Sequence, residues 1–188
     1  ARGVLKTKHI DHCARLCHAS TVAGLANIFG SGAMTNSIGD IADSKCVFII
    51  GSNTFECHPL IGRRVMQAKA KGAKFIYADP RLTATGKQAD LYLQFRSGTD
   101  VCLMNGMMQE IIKNGWENKD FIEKRCNGFD ELKKEVMKEE YSLENVSSVT
   151  GVPVDKIKTA AEWFAKSGAS AILYSMGITQ HTTGVDNV

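Results

Sequence analysis

Two adjacent residues, Cys17 and His18, sit in Ala14-Arg15-Leu16-Cys17-His18, ahead of an apolar stretch that begins at Thr21. The pair sets a soft thiolate donor beside a proton acceptor. Thiolates suit soft or polarisable metals, and an imidazole titrates near neutrality and can carry a proton. The ordinary explanation of such a neighbour pair is packing, because free Cys behaves as a small buried hydrophobe. Other polar groups point to a ligand of a different kind. Asn53 to His58, Asp79 and Arg81, Gly98 to Asp100, and Gln180 with His181 each follow an apolar run. Gly51 permits a tight turn and close backbone approach. Asp79 offers acceptors for ribose hydroxyls or a purine amino group, and Asp100 offers two for a guanine edge. Arg81 supplies a planar cation for a phosphate or a base face.

The elements that must position these groups are legible from period and punctuation. Cys46-Val47-Phe48-Ile49-Ile50, stopped by Gly51-Ser52-Asn53, predicts a buried strand of a parallel sheet. Pro59 predicts a helix start, with Ile61, Val65 and Ala68 as its apolar stripe and Gly72 as its stop. Lys74-Phe75-Ile76-Tyr77-Ala78 reads as a second strand, Leu91-Tyr92-Leu93 as a third, and Ser170-Ala171-Ile172-Leu173-Tyr174 as the last. A helix from Thr99 or Asp100 presents Val101, Met104, Met108 and Ile112. Residues 118–140 are charged and helical, with Phe121, Ile122, Phe129, Leu132 and Val136 expected inward. Val22, Leu25, Ala26 and Phe29 recur at helical spacing, and a late helix carries Ile157, Ala160, Ala161 and Phe164.

This rhythm predicts an α/β fold, a mostly parallel sheet with helices on both faces. In such sheets ligands sit outside the carboxyl ends of the strands, where the polar loops fall. The helix after Pro59 aims its free N–H groups at the same end, which suits phosphate. Each loop taken singly is explained by caps and turns, since Asp, Asn and Gly dominate both. Together they describe a nucleotide site. No G-x-G-x-x-G or Walker loop follows a strand, which disfavours the common dinucleotide and nucleoside-triphosphate folds.

Composition narrows the classes further. A formal charge of +3 over 188 residues, without a basic stripe interleaved with aromatics, argues against nucleic acid. Arg63, Arg64, Lys69, Lys71 and Lys74 read as a solvated face. The six cysteines form no C-x-x-C pair, so neither a disulfide scaffold nor a paired zinc site is indicated. Zinc on Cys13, Cys17 and His18 stays open, and Cys46 and Cys102 read as core. No apolar run approaches membrane-span length, so no direct membrane insertion is expected. The cytoplasm is the expected compartment.

The ordered series Cys17-His18 with Val22-Ala23-Gly24, Gly51-Ser52-Asn53 with His58-Pro59, Asp79-Pro80-Arg81, Gly98-Thr99-Asp100 and Met176-Gly177-Ile178-Thr179-Gln180 resembles the molybdopterin oxidoreductases. Within that family, Cys17 followed by His18 is similar to the catalytic subunit of formate dehydrogenase. The resemblance implies a Rossmann-like domain over 1–188, a bis-molybdopterin guanine dinucleotide with molybdenum or tungsten, and Cys17 as the metal ligand. It implies His18 as the group that takes the proton from formate. It implies Gly51, Asn53, Glu56, Cys57, His58, Asp79, Arg81, Gly98, Asp100, Met176 and Gln180 as cofactor-binding residues. An iron–sulfur cluster in an N-terminal part, a C-terminal domain, a formate-orienting arginine past Val188 and an electron-transfer iron–sulfur subunit as partner are further expectations. The chain then reads as an internal piece, inactive alone.

Rival readings remain at this point. A nitrate reductase of the same superfamily shares the strand-end motifs but carries methionine after the cysteine. A relative that has lost its metal, kept as a structural or electron-transfer subunit, is a second rival. A generic nucleotide-binding α/β module is the third, and it leaves the order of five motif groups unexplained.

Overall fold

The computed structural model describes residues 2–188. Its core is a four-stranded, all-parallel sheet in the order β3-β2-β1-β4, with β1 at Cys46–Ile50, β2 at Lys74–Ala78, β3 at Leu91–Leu93 and β4 at Ser170–Tyr174. β1 lies in register with both neighbours, Phe48 opposite Ile76 on one side and Ile172 on the other. All five β1 residues are buried. That is why the strand is a continuous apolar run and not an alternating one.

Alternate side chains of β1 feed two cores. Cys46, Phe48 and Ile50 join Leu103, Val146, Ile157, Ala160 and Ala161 on one face. Val47 and Ile49 join Val65, Ala68, Phe75 and Tyr77 on the other. Five helices cover the sheet or extend from it: α1 (Ala19–Phe29), α2 (Pro59–Ala70), α3 (Asp100–Lys113), α4 (Leu143–Thr150) and α5 (Val154–Lys166). α2 begins at Pro59 in the first turn, where a missing N–H costs nothing. Gly72, at φ +94°, turns the chain from α2 into β2. Arg63, Arg64, Lys71 and Lys74 are exposed as expected, whereas Lys69 is half-buried; Lys71 reaches Asp43 at 2.7 Å and Lys69 reaches Asp90 at 2.8 Å.

Three helical faces differ from the sequence expectation. On α3 the buried residues are Asp100, Leu103, Gly106, Met107, Gln109 and Glu110, while Val101, Met104, Met108 and Ile112 are only half-buried. Gly106 sets the rotation: a Cβ there would lie 2.7 Å from a Val146 methyl, so α4 packs directly on the backbone. The 118–140 segment breaks into Lys119–Arg125 and Phe129–Val136, divided by Gly128 in the left-handed region. Val136 is buried there, whereas Phe121 and Leu132 are exposed. On α1 the buried residue is Gly24, and Val22, Ile28 and Phe29 face outward. Helical spacing identifies these helices correctly, but it does not say which side the tertiary partner occupies.

Phe48 lies at the centre of the larger core, edge-on to Phe164 with ring centroids 6.4 Å apart. Phe48→Ala is expected to lower stability by about 3–5 kcal/mol, read as a lower urea midpoint at an unchanged m-value.

Candidate functional site: a cleft at the carboxyl ends of the strands

β1 ends at Ile50, and the chain turns at Gly51, φ +59°, a conformation that glycine adopts without strain. β4 ends at Tyr174 and passes through Ser175 into the short turn Met176–Thr179. The two ends touch through backbone: the Gly177 N–H donates to the Gly51 carbonyl at 3.0 Å. A Cβ on Gly177 would lie 2.5 Å from that oxygen, and one on Gly51 would lie 2.9 Å from the Gly177 carbonyl carbon. Here the strand order also reverses, with β2 and β3 to one side of β1 and β4 to the other. The loops diverge at such a point and leave a crevice.

The crevice is a cleft of about 410 Å³, walled by all four strand ends. Gly51, Ser52, Asn53 and Cys57 come from the loop after β1, and Asp79, Pro80 and Arg81 from the loop after β2. Phe95, Ser97, Gly98 and Asp100 follow β3, and Ser175, Met176, Gly177 and His181 follow β4. Its size falls in the range of small-molecule and cofactor sites.

Several walls are fixed by their own hydrogen bonds. Asp79 is buried and its Oδ1 accepts from the Arg81 N–H at 2.8 Å, which shapes the loop and carries Arg81 to the exposed rim. The Tyr92 hydroxyl donates to the Asp79 carbonyl at 2.9 Å. Asn53 Oδ1 accepts from the Thr85 hydroxyl at 2.9 Å, and that hydroxyl accepts from the Phe55 N–H at 3.0 Å. Asp100 opens α3 and is buried, and burial pushes its carboxyl above the ordinary 3.8. Its own N–H, the Gly98 N–H and the His181 charge act against that rise, while Asp79 adds to it. Thr99, just before α3, turns its hydroxyl to the Arg96 carbonyl at 2.6 Å and makes no side-chain cap.

Cys17 and His18 lie in a separate segment, outside the cleft lining. Cys17 ends the turn Ala14–Cys17, and His18 precedes α1. Both are half-buried. The Cys17 carbonyl accepts from the Thr179 hydroxyl at 2.7 Å, and the Ser20 hydroxyl donates to the Thr179 carbonyl at 3.2 Å. His18 Nδ1 lies 3.3 Å from the Thr21 hydroxyl. The thiol-bearing segment is thus tied to the turn that closes the cleft. Among the described residues no three His, Cys, Asp or Glu side chains converge as a metal cage, so Cys13, Cys17 and His18 do not assemble a zinc site.

Of the sequence candidates, Gly51, Asn53, Cys57, Asp79, Arg81, Gly98, Asp100 and Met176 line the cleft. Glu56 and His58 are exposed on the turn leading into α2, and Gln180 folds back on Met176, with Nε2 3.4 Å from the sulfur. None of the three is on the cleft wall. His181, one residue further on, is on it, with Nε2 2.8 Å from the Gly177 carbonyl. Phe95, Ser97 and Ser175 also line the cleft and are not singled out by the sequence: Ser97 beside Gly98 has the look of a turn, and Phe95 and Ser175 belong to none of the motifs. For His181 there was a signal, its place just after the last strand.

A model of the molybdopterin oxidoreductase family matches residues 1–188. The chain belongs to that family. It is 54% identical over 188 residues to the F420-dependent formate dehydrogenase 1 subunit alpha of Methanococcus maripaludis, all of this chain and 28% of that protein. It is 39% identical over 185 residues to the assimilatory nitrate reductase catalytic subunit of Bacillus subtilis, 98% of this chain and 26% of that one. Acetylene hydratase from Pelobacter acetylenicus superposes with a TM-score of 0.76 at 33% identity, over 88% of this chain and 22% of its own. The chain therefore spans about a quarter of the length of the curated relatives named here.

The molybdopterin group that this family carries fits the cleft. Gly51 and Gly177 leave the floor free of side chains. Asp79 and Asp100 offer buried acceptors to the amino groups of a base or pterin, and Arg81 offers a cation to phosphate. Gly177→Ala in a molybdopterin oxidoreductase subunit built on this cleft is expected to destabilise by about 1–3 kcal/mol and to lower the molybdenum or tungsten bound after purification. Thermal unfolding and elemental analysis measure the two effects.

Asp100 gives a pH prediction. A carboxyl raised by burial binds its proton more tightly folded than unfolded. Its contribution to stability is present at low pH and is lost as pH rises past 3.8 through the raised folded value. Asp100→Asn is therefore expected to stabilise the cofactor-free protein at pH 7, with the gain vanishing towards pH 4, in urea titrations across that interval.

Proposed function

We propose that the protein carrying this chain oxidises formate to carbon dioxide at a molybdenum or tungsten centre. The centre is held by two molybdopterin guanine dinucleotides and by the Cys17 thiolate. The observation that carries the reading is the Cys17–His18 pair, with the Cys17 carbonyl held by Thr179 of the turn that closes a cleft of about 410 Å³. The relative at 54% identity, named as a formate dehydrogenase subunit, supports it.

The bound cofactor supplies a two-electron acceptor. Formate oxidation releases carbon dioxide, one proton and two electrons. Asp79 and Asp100 hold amino groups of the cofactor, Asn53 and Cys57 close its sides, and Arg81 meets phosphate at the rim. Glu56, His58 and Gln180 remain cofactor-binding candidates, on the outer side of these loops. His18 takes the proton at Nε2. In the tautomer whose Nδ1–H donates to Thr21, Nε2 carries the lone pair. An iron–sulfur cluster elsewhere in the subunit and an iron–sulfur partner subunit would supply the path for the two electrons. The name of the M. maripaludis relative makes a deazaflavin the acceptor to test first.

The nitrate reductase reading rests on the B. subtilis relative, and His18 argues against it, because a thioether at that position accepts no proton as imidazole does. The full-length subunit, purified without oxygen, is assayed for formate-driven reduction and nitrate-driven oxidation of a viologen dye. Formate activity is expected, abolished in Cys17→Ser and lowered about 100-fold or more in His18→Ala. Nitrate activity alone would move the assignment to the rival. Neither activity, with no metal bound, would favour a non-catalytic relative. The 188-residue piece alone is expected to be inactive.

A further inference from the structure

We infer that Thr179 is a positioning residue for Cys17: its buried hydroxyl holds the backbone carbonyl of the thiol-bearing residue and so sets the direction in which the thiolate is presented. The inference rests on the reading of Cys17 as the metal ligand.

The geometry leaves Cys17 little freedom. Its N–H donates to the Cys13 carbonyl at 3.2 Å, and its carbonyl accepts from Thr179 Oγ1 at 2.7 Å. With both backbone polar groups engaged, the remaining choice is χ1, which has three staggered wells. Thr179 is itself anchored. It is 3% exposed, and its carbonyl accepts from the Ser20 hydroxyl at 3.2 Å. The carbonyl of Ile178, one residue earlier, accepts from the Asn187 side-chain amide at 2.9 Å. Two residues back, Gly177 is bound to Gly51. The thiol is therefore referred to the strand ends through Thr179 and Gly177, the same backbone that floors the cleft. Removing the hydroxyl would leave the Cys17 carbonyl without this donor in a half-buried site, a loss larger than a fully exposed hydrogen bond would bring.

A clamp that merely joins two segments would change stability and leave the thiol unaffected, so the test reads the thiol. Thr179→Val removes the hydroxyl at nearly constant volume, and Thr179→Ser restores it. In the cofactor-free full-length subunit, the rate of Cys17 alkylation by iodoacetamide is followed by peptide mass spectrometry. In the loaded subunit, the electron paramagnetic resonance line shape of the half-reduced metal is recorded, with kcat and KM for formate against a viologen. Thr179→Val is expected to change the alkylation rate at least three-fold, alter the line shape and lower kcat about ten-fold, with KM within two-fold. Thr179→Ser is expected to return every value to within two-fold of wild type. Unchanged alkylation and line shape in Thr179→Val overturn the inference, whatever the melting temperature does. Thr179→Ala, which sets no methyl against the carbonyl, gives the same readouts if the valine variant does not accumulate. A wild type inert to formate that still shows the contrast in alkylation and line shape sinks the formate reading and leaves Thr179 its role. An active wild type without the contrast does the reverse.

Discussion

The contact between Gly51 and Gly177 is the constraint on which the site depends. A single N–H···O=C bond of 3.0 Å links the ends of β1 and β4, and neither residue could carry a Cβ at that distance. With that bond in place, the turn after β4 must lie flat against the end of β1. The turn then delivers Gly177 and Met176 to the cleft, and Thr179 to Cys17. Close approach of two backbones thus does what a bulky side chain could not: it leaves an open floor and a fixed edge in the same place.

The walls follow a different logic. Asp79 and Asp100 are carboxylates taken largely out of water, and burial works against the charge of Asp100. A fold selected only for stability would place apolar groups there. The protein tolerates the destabilisation in the loops after β2 and β3, where the sheet beneath is largely apolar and two cores support it from both faces. Tyr92 and Thr85 hold the loop backbone and the Asn53 carboxamide in place. Stability in the sheet and acceptor chemistry at its rim are separated by a few residues along each strand.

The strands were legible because β1 and β2 are short apolar runs closed by turn residues, and burial on both faces writes itself directly into composition. Gly51 and Asp79 were legible for a related reason, since they come immediately after those runs. Side-chain direction beyond a strand end was not legible. Gln180 and His181 are adjacent, yet His181 lines the cleft while Gln180 turns back on Met176. That choice is set by the backbone of a four-residue turn, which no period encodes. The outward faces of Phe121, Leu132 and Val22 were missed because helical spacing is satisfied equally well by either side until a neighbour is present. Thr179 looked like an ordinary residue of a motif, because its partner lies elsewhere in the chain.

That separation has a consequence for the order of events in making the protein. Thr179 and Cys17 stand 162 residues apart. At roughly 5–20 residues per second on a ribosome, the thiol emerges roughly ten to thirty seconds before the hydroxyl that will hold its carbonyl. β1, β2 and β3 can pair during that interval, but β4 and the last wall of the cleft are still missing. Until Thr179 has been made, the Cys17 carbonyl lacks the hydroxyl that will hold it. The cleft gains its fourth wall only once β4 and the turn Met176–Thr179 have been made, so a ligand that needs all four walls is seated late.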